Sequence, residues 1–180
     1  YTGEDTLSLH DALPIWDGFH FMVDPVSNFG RSILDTGTYE SDMGDILRAI
    51  LRSGDNYFDA GMNEGYFAVL ASRYVGPGGR VLGAEPQGRL LGVIDKNFMM
   101  NDIRNAKVCE VALAAVPGTT VLYLAPDTNS GGSSFFRTTK LGLRPEAVRT
   151  MTLDTLLERE GMRKIRFLKV DVEGAEEQIL

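Results

Sequence analysis

The chain has one cysteine, Cys109, so it forms no internal disulfide and no cysteine metal cluster. Basic residues are few: 18 Lys and Arg stand against 25 Asp and Glu. The resulting net charge of −7 lacks the basic footprint of a nucleic-acid binder. No apolar run approaches the roughly 18 residues that a membrane span requires. A cytoplasmic location is therefore the default expectation. Histidine is scarce, and His20 on a strand-like stretch reads as structural rather than catalytic. The apolar setting of Cys109 likewise suits an inert core residue better than a reactive thiol. A dinucleotide fingerprint is missing too: counted from Gly61, it requires glycines at 63 and 66, where Asn63 and Tyr66 stand.

What is present is one domain's worth of chain, 180 residues with ordinary apolar content and 20 glycines. Residues 57–65, YFDAGMNEG, organise it. Tyr57 to Ala60 form a short apolar run with a single acid, as a buried parallel strand does. Gly61 and Gly65 then bracket a turn before the helical spacing of Phe67, Leu70, Ala71 and Tyr74, which Gly76-Pro77-Gly78-Gly79 stops. Strand, glycine turn and helix form the first unit of an α/β sheet that binds its ligand outside the carboxyl ends of the strands. The spacing Asp59-x-Gly61-x-x-x-Gly65 resembles the first motif of S-adenosylmethionine-dependent methyltransferases, and it equally fits a plain glycine turn. A second strand, GRVLGAEP, ends in Glu85, which stands where an acid accepts hydrogen bonds from both hydroxyls of a ribose. That geometry serves any adenosine-containing cofactor, and a solvated strand-end acid remains the alternative.

Residues 18–23, GFHFMV, alternate as a strand does, and Asn28, Gly30 and Asp35 to Gly37 read as loop punctuation. Ser41 or Asp42 caps a helix with Ile46, Leu47, Ile50 and Leu51 on one face, ended by Gly54. Pro86 opens another helix, with Leu91, Ile94 and Phe98 buried and Asn97 and Asn101 closing it. A third strand is expected over 107–113 and a further one over 119–125. Residues 127–139 read as a long polar loop, either a substrate-facing lid carrying Phe135 and Phe136 or a disordered segment. A short strand over 148–152, a helix through Leu153, Leu156 and Leu157 to Gly161, and a strongly buried strand over 165–170 follow. The last runs into Asp171-Val172-Glu173-Gly174, and a helix begins at Ala175.

The ordered blocks FDAGMNEGYF, GRVLGAEP, the pair Asn97 and Asn101, VALAAVPG, TLDTLL and FLKVDVEGAE resemble the FkbM-type family of S-adenosylmethionine-dependent methyltransferases. The resemblance covers residues 30–180, with Met62 and Glu64 departing from the smaller or apolar residues usual there. It implies a Rossmann-like, doubly wound, mostly parallel sheet of the class I methyltransferase type, with strand order 3-2-1-4-5-7-6. It also implies S-adenosylmethionine as cofactor. Gly61 and Gly65, with Asp59 beneath them, would cradle its methionine end; Asn63 would add a polar contact and Glu85 would hold the ribose. Glu110 and Ala112 would lie by the adenine. Asp171 and Glu173 would stand across the cleft, as general base or acceptor contact, as caps of the following helix, or as both; a metal held by the same pair is the less favoured alternative, since the sequence shows no further ligands for it. The expected activity is methyl transfer to a hydroxyl of a small-molecule, glycan or lipid acceptor. The alternatives are a non-catalytic adenosyl-ligand domain and a nucleotide-dependent oxidoreductase.

The chain starts without Met and stops at Leu180 inside a young helix, so it reads as a fragment truncated at its C-terminus. Residues 1–17 include TLSLHDALPIW, which resembles translated adapter sequence, and are read as a non-native or disordered leader. Residues 18–56 would supply an N-terminal strand and helix, and residues 57–180 the incomplete cofactor-binding domain.

Overall fold

The computed structural model describes residues 13–15, 18–124 and 144–172. The expected loop at 127–139, Glu173 and the helix from Ala175 lie outside the described residues, as does most of the leader. In chain order the elements are β1 (Leu13–Ile15), β2 (Phe19–Phe21), α1 (Asn28–Thr36), α2 (Ser41–Ile50), β3 (Asn56–Ala60), α3 (Tyr66–Val75), β4 (Arg80–Ala84) and α4 (Gly88–Met100). They continue with β5 (Ala106–Cys109), β6 (Ala112–Leu113), β7 (Gly118–Leu124), β8 (Arg144–Met151), α5 (Leu153–Glu160) and β9 (Phe167–Val170). Among the described residues no helix is long and apolar enough to cross a membrane.

The four short, mainly apolar runs β5, β4, β3 and β9 pair in that order, all parallel. This is the expected 3-2-1-4 arrangement. Side chains alternate across the sheet. Tyr57 and Val81 face a core built with α2, α3 and α4, whereas Phe58, Leu82 and Ala84 face a second core built with Leu156 of α5 and Met162. Both faces of the sheet are therefore covered, and the fold is a doubly wound α/β fold.

Several local expectations are corrected. Residues 28–36 form α1 rather than a loop: the Ser27 hydroxyl accepts from the Gly30 N–H at its start, and Gly37 closes it with its N–H on the Ile33 carbonyl. Phe29 and Ile33, one turn apart, bury its inner face. In α2 the N-cap is Glu40, with no side-chain cap, and Ile46 turns to solvent while Leu47 is buried. In α4 it is Leu90, with Ile94, Asn97 and Phe98, that is buried; Leu91 packs at the margin.

The expected strand over 107–113 is two strands in two sheets. After Cys109 the Val111 N–H donates back to the Cys109 carbonyl at 2.9 Å, a tight three-residue turn with Glu110 exposed at its corner. Beyond it, β6 pairs parallel with β8, and β7 pairs antiparallel with β8, giving a second sheet of order β6-β8-β7. The short strand expected over 148–152 is the end of the eight-residue β8, and Thr152 is the N-cap of α5.

At the other end of the chain, β1 pairs antiparallel with β2, so three residues of the leader join a hairpin-like ribbon. Phe21, Phe29, Tyr39, Tyr66 and Phe67 then form a cluster of rings with centroids 5.1–6.3 Å apart. Such pairs contribute about 0.5–1.5 kcal/mol each beyond simple burial. They fasten the N-terminal segment to α3 and bring Tyr39 to the carboxyl end of the main sheet.

Candidate functional site

The glycine turn after β3 is held from three sides. The N–H groups of Gly61 and Met62 both donate to the Ala84 carbonyl, at 3.0 and 3.1 Å. On the other flank the Asp171 N–H donates to the Ala60 carbonyl at 2.9 Å. Gly61 has φ +85°, and a Cβ there would collide with the Asp171 carbonyl oxygen, so this position requires glycine for two separate reasons. From behind, the fully buried Asn97 amide donates to the Glu64 carbonyl at 2.7 Å and accepts from the Met22 N–H at 2.8 Å.

Glu85 locks the front of the turn. One carboxylate oxygen accepts from the Asn63 N–H at 2.8 Å and the other from the Gln87 N–H at 3.0 Å. Asn63 is in the left-handed region, φ +51°, which aims its N–H at β4 instead of along the helix. Burial pushes the Glu85 carboxyl up, and the two N–H bonds oppose that without cancelling it.

Gly61, Asn63, Glu85, Ala112 and Asp171 all line one cleft of about 170 Å³, open to solvent at the carboxyl ends of β3, β4 and β9. Three other candidates are placed elsewhere. Asp59 is buried beneath the turn and does not line the cleft. Gly65 is the N-cap of α3 and faces Ile94, not the cleft. Glu110 is exposed at its corner, its carbonyl facing Arg149. Glu173 lies outside the described residues.

Residues 59–180 match the profile of the methyltransferase FkbM domain. The chain belongs to the FkbM family of S-adenosylmethionine-dependent methyltransferases. It is 29% identical over 161 residues to methyltransferase sdnD of Sordaria araneosa, an alignment covering 73% of this chain and 61% of that protein. The chain thus spans 61% of the length of that relative. Among solved structures, an O-methyltransferase from Bacillus cereus in complex with SAH aligns over 75% of this chain and 46% of its own, at 15% identity and a TM-score of 0.44. A SAM-dependent methyltransferase from Aquifex aeolicus aligns over 49% of this chain and 47% of its own, at 19% identity and a TM-score of 0.36.

The charge arrangement beneath the FkbM glycine turn was not anticipated from sequence. Strand register sets Lys169 of β9 directly opposite Asp59 of β3, on the same face. The Lys169 Nζ is 3.6 Å from one Asp59 oxygen and 3.1 Å from an Asp171 oxygen. Both Lys169 and Asp59 are buried, at 8% and 1% exposure. Burial raises the Asp59 carboxyl, and the Lys169 ammonium only partly offsets this. Burial alone would lower the Lys169 ammonium, but the Asp59 and Asp171 charges outweigh it and hold it above its ordinary value. The Tyr57 hydroxyl, also buried, is raised well above its ordinary value by burial and then by the Asp59 charge.

Lys169 had a signal in the sequence: a cation between Leu168 and Val170 in the largely apolar run IRFLKV, two residues before Asp171 and therefore on the same face. Tyr39 and Gln87, which also line the cleft, had none, because only the ring cluster and the Glu85 bond bring them there. The His20 backbone bonds to Asn101, its main-chain N–H donating to the side-chain oxygen at 2.9 Å. Cys109 is buried, and burial raises its thiol.

Proposed function

We propose that the cleft binds S-adenosylmethionine and directs its methyl group to a hydroxyl oxygen of a small-molecule, glycan or lipid acceptor. The observation that carries this reading is Glu85. It is a nearly fully buried carboxylate whose two N–H bonds use only part of its acceptor capacity, at the edge of a cleft. A ribose diol is the donor pair that would complete it. Ala112, Leu113 and Leu122 supply an apolar wall on that side, suited to adenine. The Gly61–Asn63 turn and Asp171 also line the cleft and suit the methionine end.

The bound cofactor supplies an electrophilic methyl group on a sulfonium. The protein's own contribution is alignment, which is worth several kcal/mol as effective concentration. The Asp171 side chain is 55% exposed at the cleft, so an acceptor can reach it. The Asp171 carboxylate would accept the proton of the acceptor hydroxyl and later release it to water. Lys169 holds that carboxylate in place.

Two results test this. Calorimetric titration should give saturable binding of S-adenosylhomocysteine and none of NAD; the reverse pattern would overturn the assignment. Glu85→Ala should lower S-adenosylhomocysteine affinity at least tenfold, since hydrogen bonds to a charged group contribute about 1.5–3 kcal/mol each. It should also lower the unliganded unfolding midpoint, because the N–H groups of Asn63 and Gln87 lose their acceptor. Unchanged affinity would return Glu85 to a purely structural role.

A further inference from the structure

The start of α4 departs twice from what a helix favours, and both departures serve the cleft beside it. Its N-cap is Gln87, whose side chain makes no bond to the N–H groups of the first turn, a role that a side-chain oxygen normally fills. Arg89 then puts a cation into that first turn, where the helix dipole favours anions. Gln87 lines the cleft and is buried, at 5% exposure, whereas Arg89 stands behind it and does not line the cleft. The Arg89 guanidinium donates to the Gln87 side-chain oxygen from Nε at 3.2 Å and from Nη2 at 2.8 Å. Two donors on that oxygen fix which way the amide points, because its NH2 end could not accept them. The NH2 end is thereby turned toward the Glu85 carboxylate, to which Gln87 gives a side-chain bond as well as its backbone N–H.

We infer, resting on the reading of Glu85 as the ribose contact, that Arg89 is a positioning residue for cofactor binding, acting through the Gln87 amide to hold Glu85 in the orientation that receives the ribose. The three side chains form a row with one polarity. Arg89 has donors alone, Glu85 when ionised has acceptors alone, and the amide between them must present its oxygen to one and its NH2 to the other. Without the guanidinium the amide is free to invert, and its oxygen would then face the carboxylate as a second acceptor. A ribose hydroxyl that donates to Glu85 can also accept from the same NH2 group, so inversion would cost affinity at both contacts. Lysine cannot take the place of Arg89, because a single ammonium lacks the fork that brackets one oxygen from two sides.

The test is calorimetric titration of the whole protein with S-adenosylhomocysteine. Arg89→Met should weaken binding about three- to tenfold, the size of one lost hydrogen bond, and Arg89→Lys should recover only part of the loss. Gln87→Leu should weaken binding by a similar factor. Adding Arg89→Met to Gln87→Leu should then weaken it no further, since the link through which Arg89 acts is already gone. A pH series supplies a readout that mere helix stability would not move. Burial raises the Glu85 carboxyl, and the bonds from Gln87 and Asn63 hold it down. Losing the Gln87 side-chain bond raises it further, so the acid limb of the binding profile should lie at higher pH in Arg89→Met than in wild type. Asp59, whose charge also raises Glu85, is present in both proteins. Circular dichroism on each variant keeps loss of fold separate from loss of affinity. Unchanged affinity in Arg89→Met, full recovery by lysine, or losses that multiply in the double variant would overturn the inference while the cofactor assignment stands. Failure of wild type to bind S-adenosylhomocysteine would overturn both.

Discussion

Gly61→Ala is expected to cost about 3 kcal/mol or more of unfolding free energy and to remove measurable S-adenosylhomocysteine binding. Two penalties act at this one carbon. The backbone sits at φ +85°, where a residue with a Cβ is strained by about 1–3 kcal/mol. The added methyl would also meet the Asp171 carbonyl, a backbone atom that cannot rotate away. Overpacking of this kind costs about 1–3 kcal/mol. Relief requires β3 and β9 to separate at their tips, yet the Asp171 N–H bond to Ala60 and the Gly61 and Met62 bonds to Ala84 clamp β3 on both sides. Whatever moves, Asp171 and the turn move apart, and both line the cleft. Gly65→Ala is the matched control. Its φ is equally unfavourable, +83°, but the nearest atom to the added carbon is Ile94 Cγ2 at 3.4 Å, a side chain that can yield. Gly65→Ala should lose only the strain cost and keep its affinity within a few-fold. Urea denaturation with calorimetry on both variants decides it, and equal losses at the two positions would contradict the account.

The parts of the fold that sequence reading reaches are those where one local rule dominates. The strands at 56–60, 80–84 and 167–170 are mainly apolar runs without polar alternation because both faces of a parallel sheet are buried, and that pattern needs no knowledge of neighbours. Acids at strand tips, Glu85 and Asp171, stand out for the same reason. Residues 28–36 were misread because Gly30 and Asp35 to Gly37 look like breaks. Gly30 in fact lies inside a helix, and Gly37 is the residue that ends it. The bend at Glu110 depends on a bond between residues two apart and on the second sheet that receives β6, neither of which periodicity reports. The same holds for the site: Asp59, Gly61 and Gly65 share a motif, yet only Gly61 lines the cleft, because the turn puts Asp59 below it and Gly65 behind it.

Lys169→Met should destabilise the protein strongly at neutral pH and much less in acid. Methionine fills a similar volume, so the change is chiefly one of charge. Both Asp59 oxygens are buried without a hydrogen-bond partner among the described residues, and Lys169 is the cation facing them. Removing one member of a buried ion pair costs about 3–5 kcal/mol because the other is left charged in a poor solvent. The exposed contact with Asp171 adds little. Asp59 already has a folded-state pKa raised by burial, and losing the ammonium raises it further. A carboxyl whose pKa is raised on folding supports stability fully below its unfolded value, near 3.9, and loses that support as pH climbs through the folded value. The stability gap between wild type and Lys169→Met should therefore be small near pH 4 and widen as pH rises, reaching its plateau above the folded pKa of Asp59 in the variant. Adding Asp59→Asn should recover most of the loss, since no buried charge remains, and should flatten the pH dependence. Urea unfolding across a pH series measures all three proteins. A gap that stays constant with pH, or a double variant no more stable than the single, would mean that Lys169 acts by packing and not by balancing Asp59.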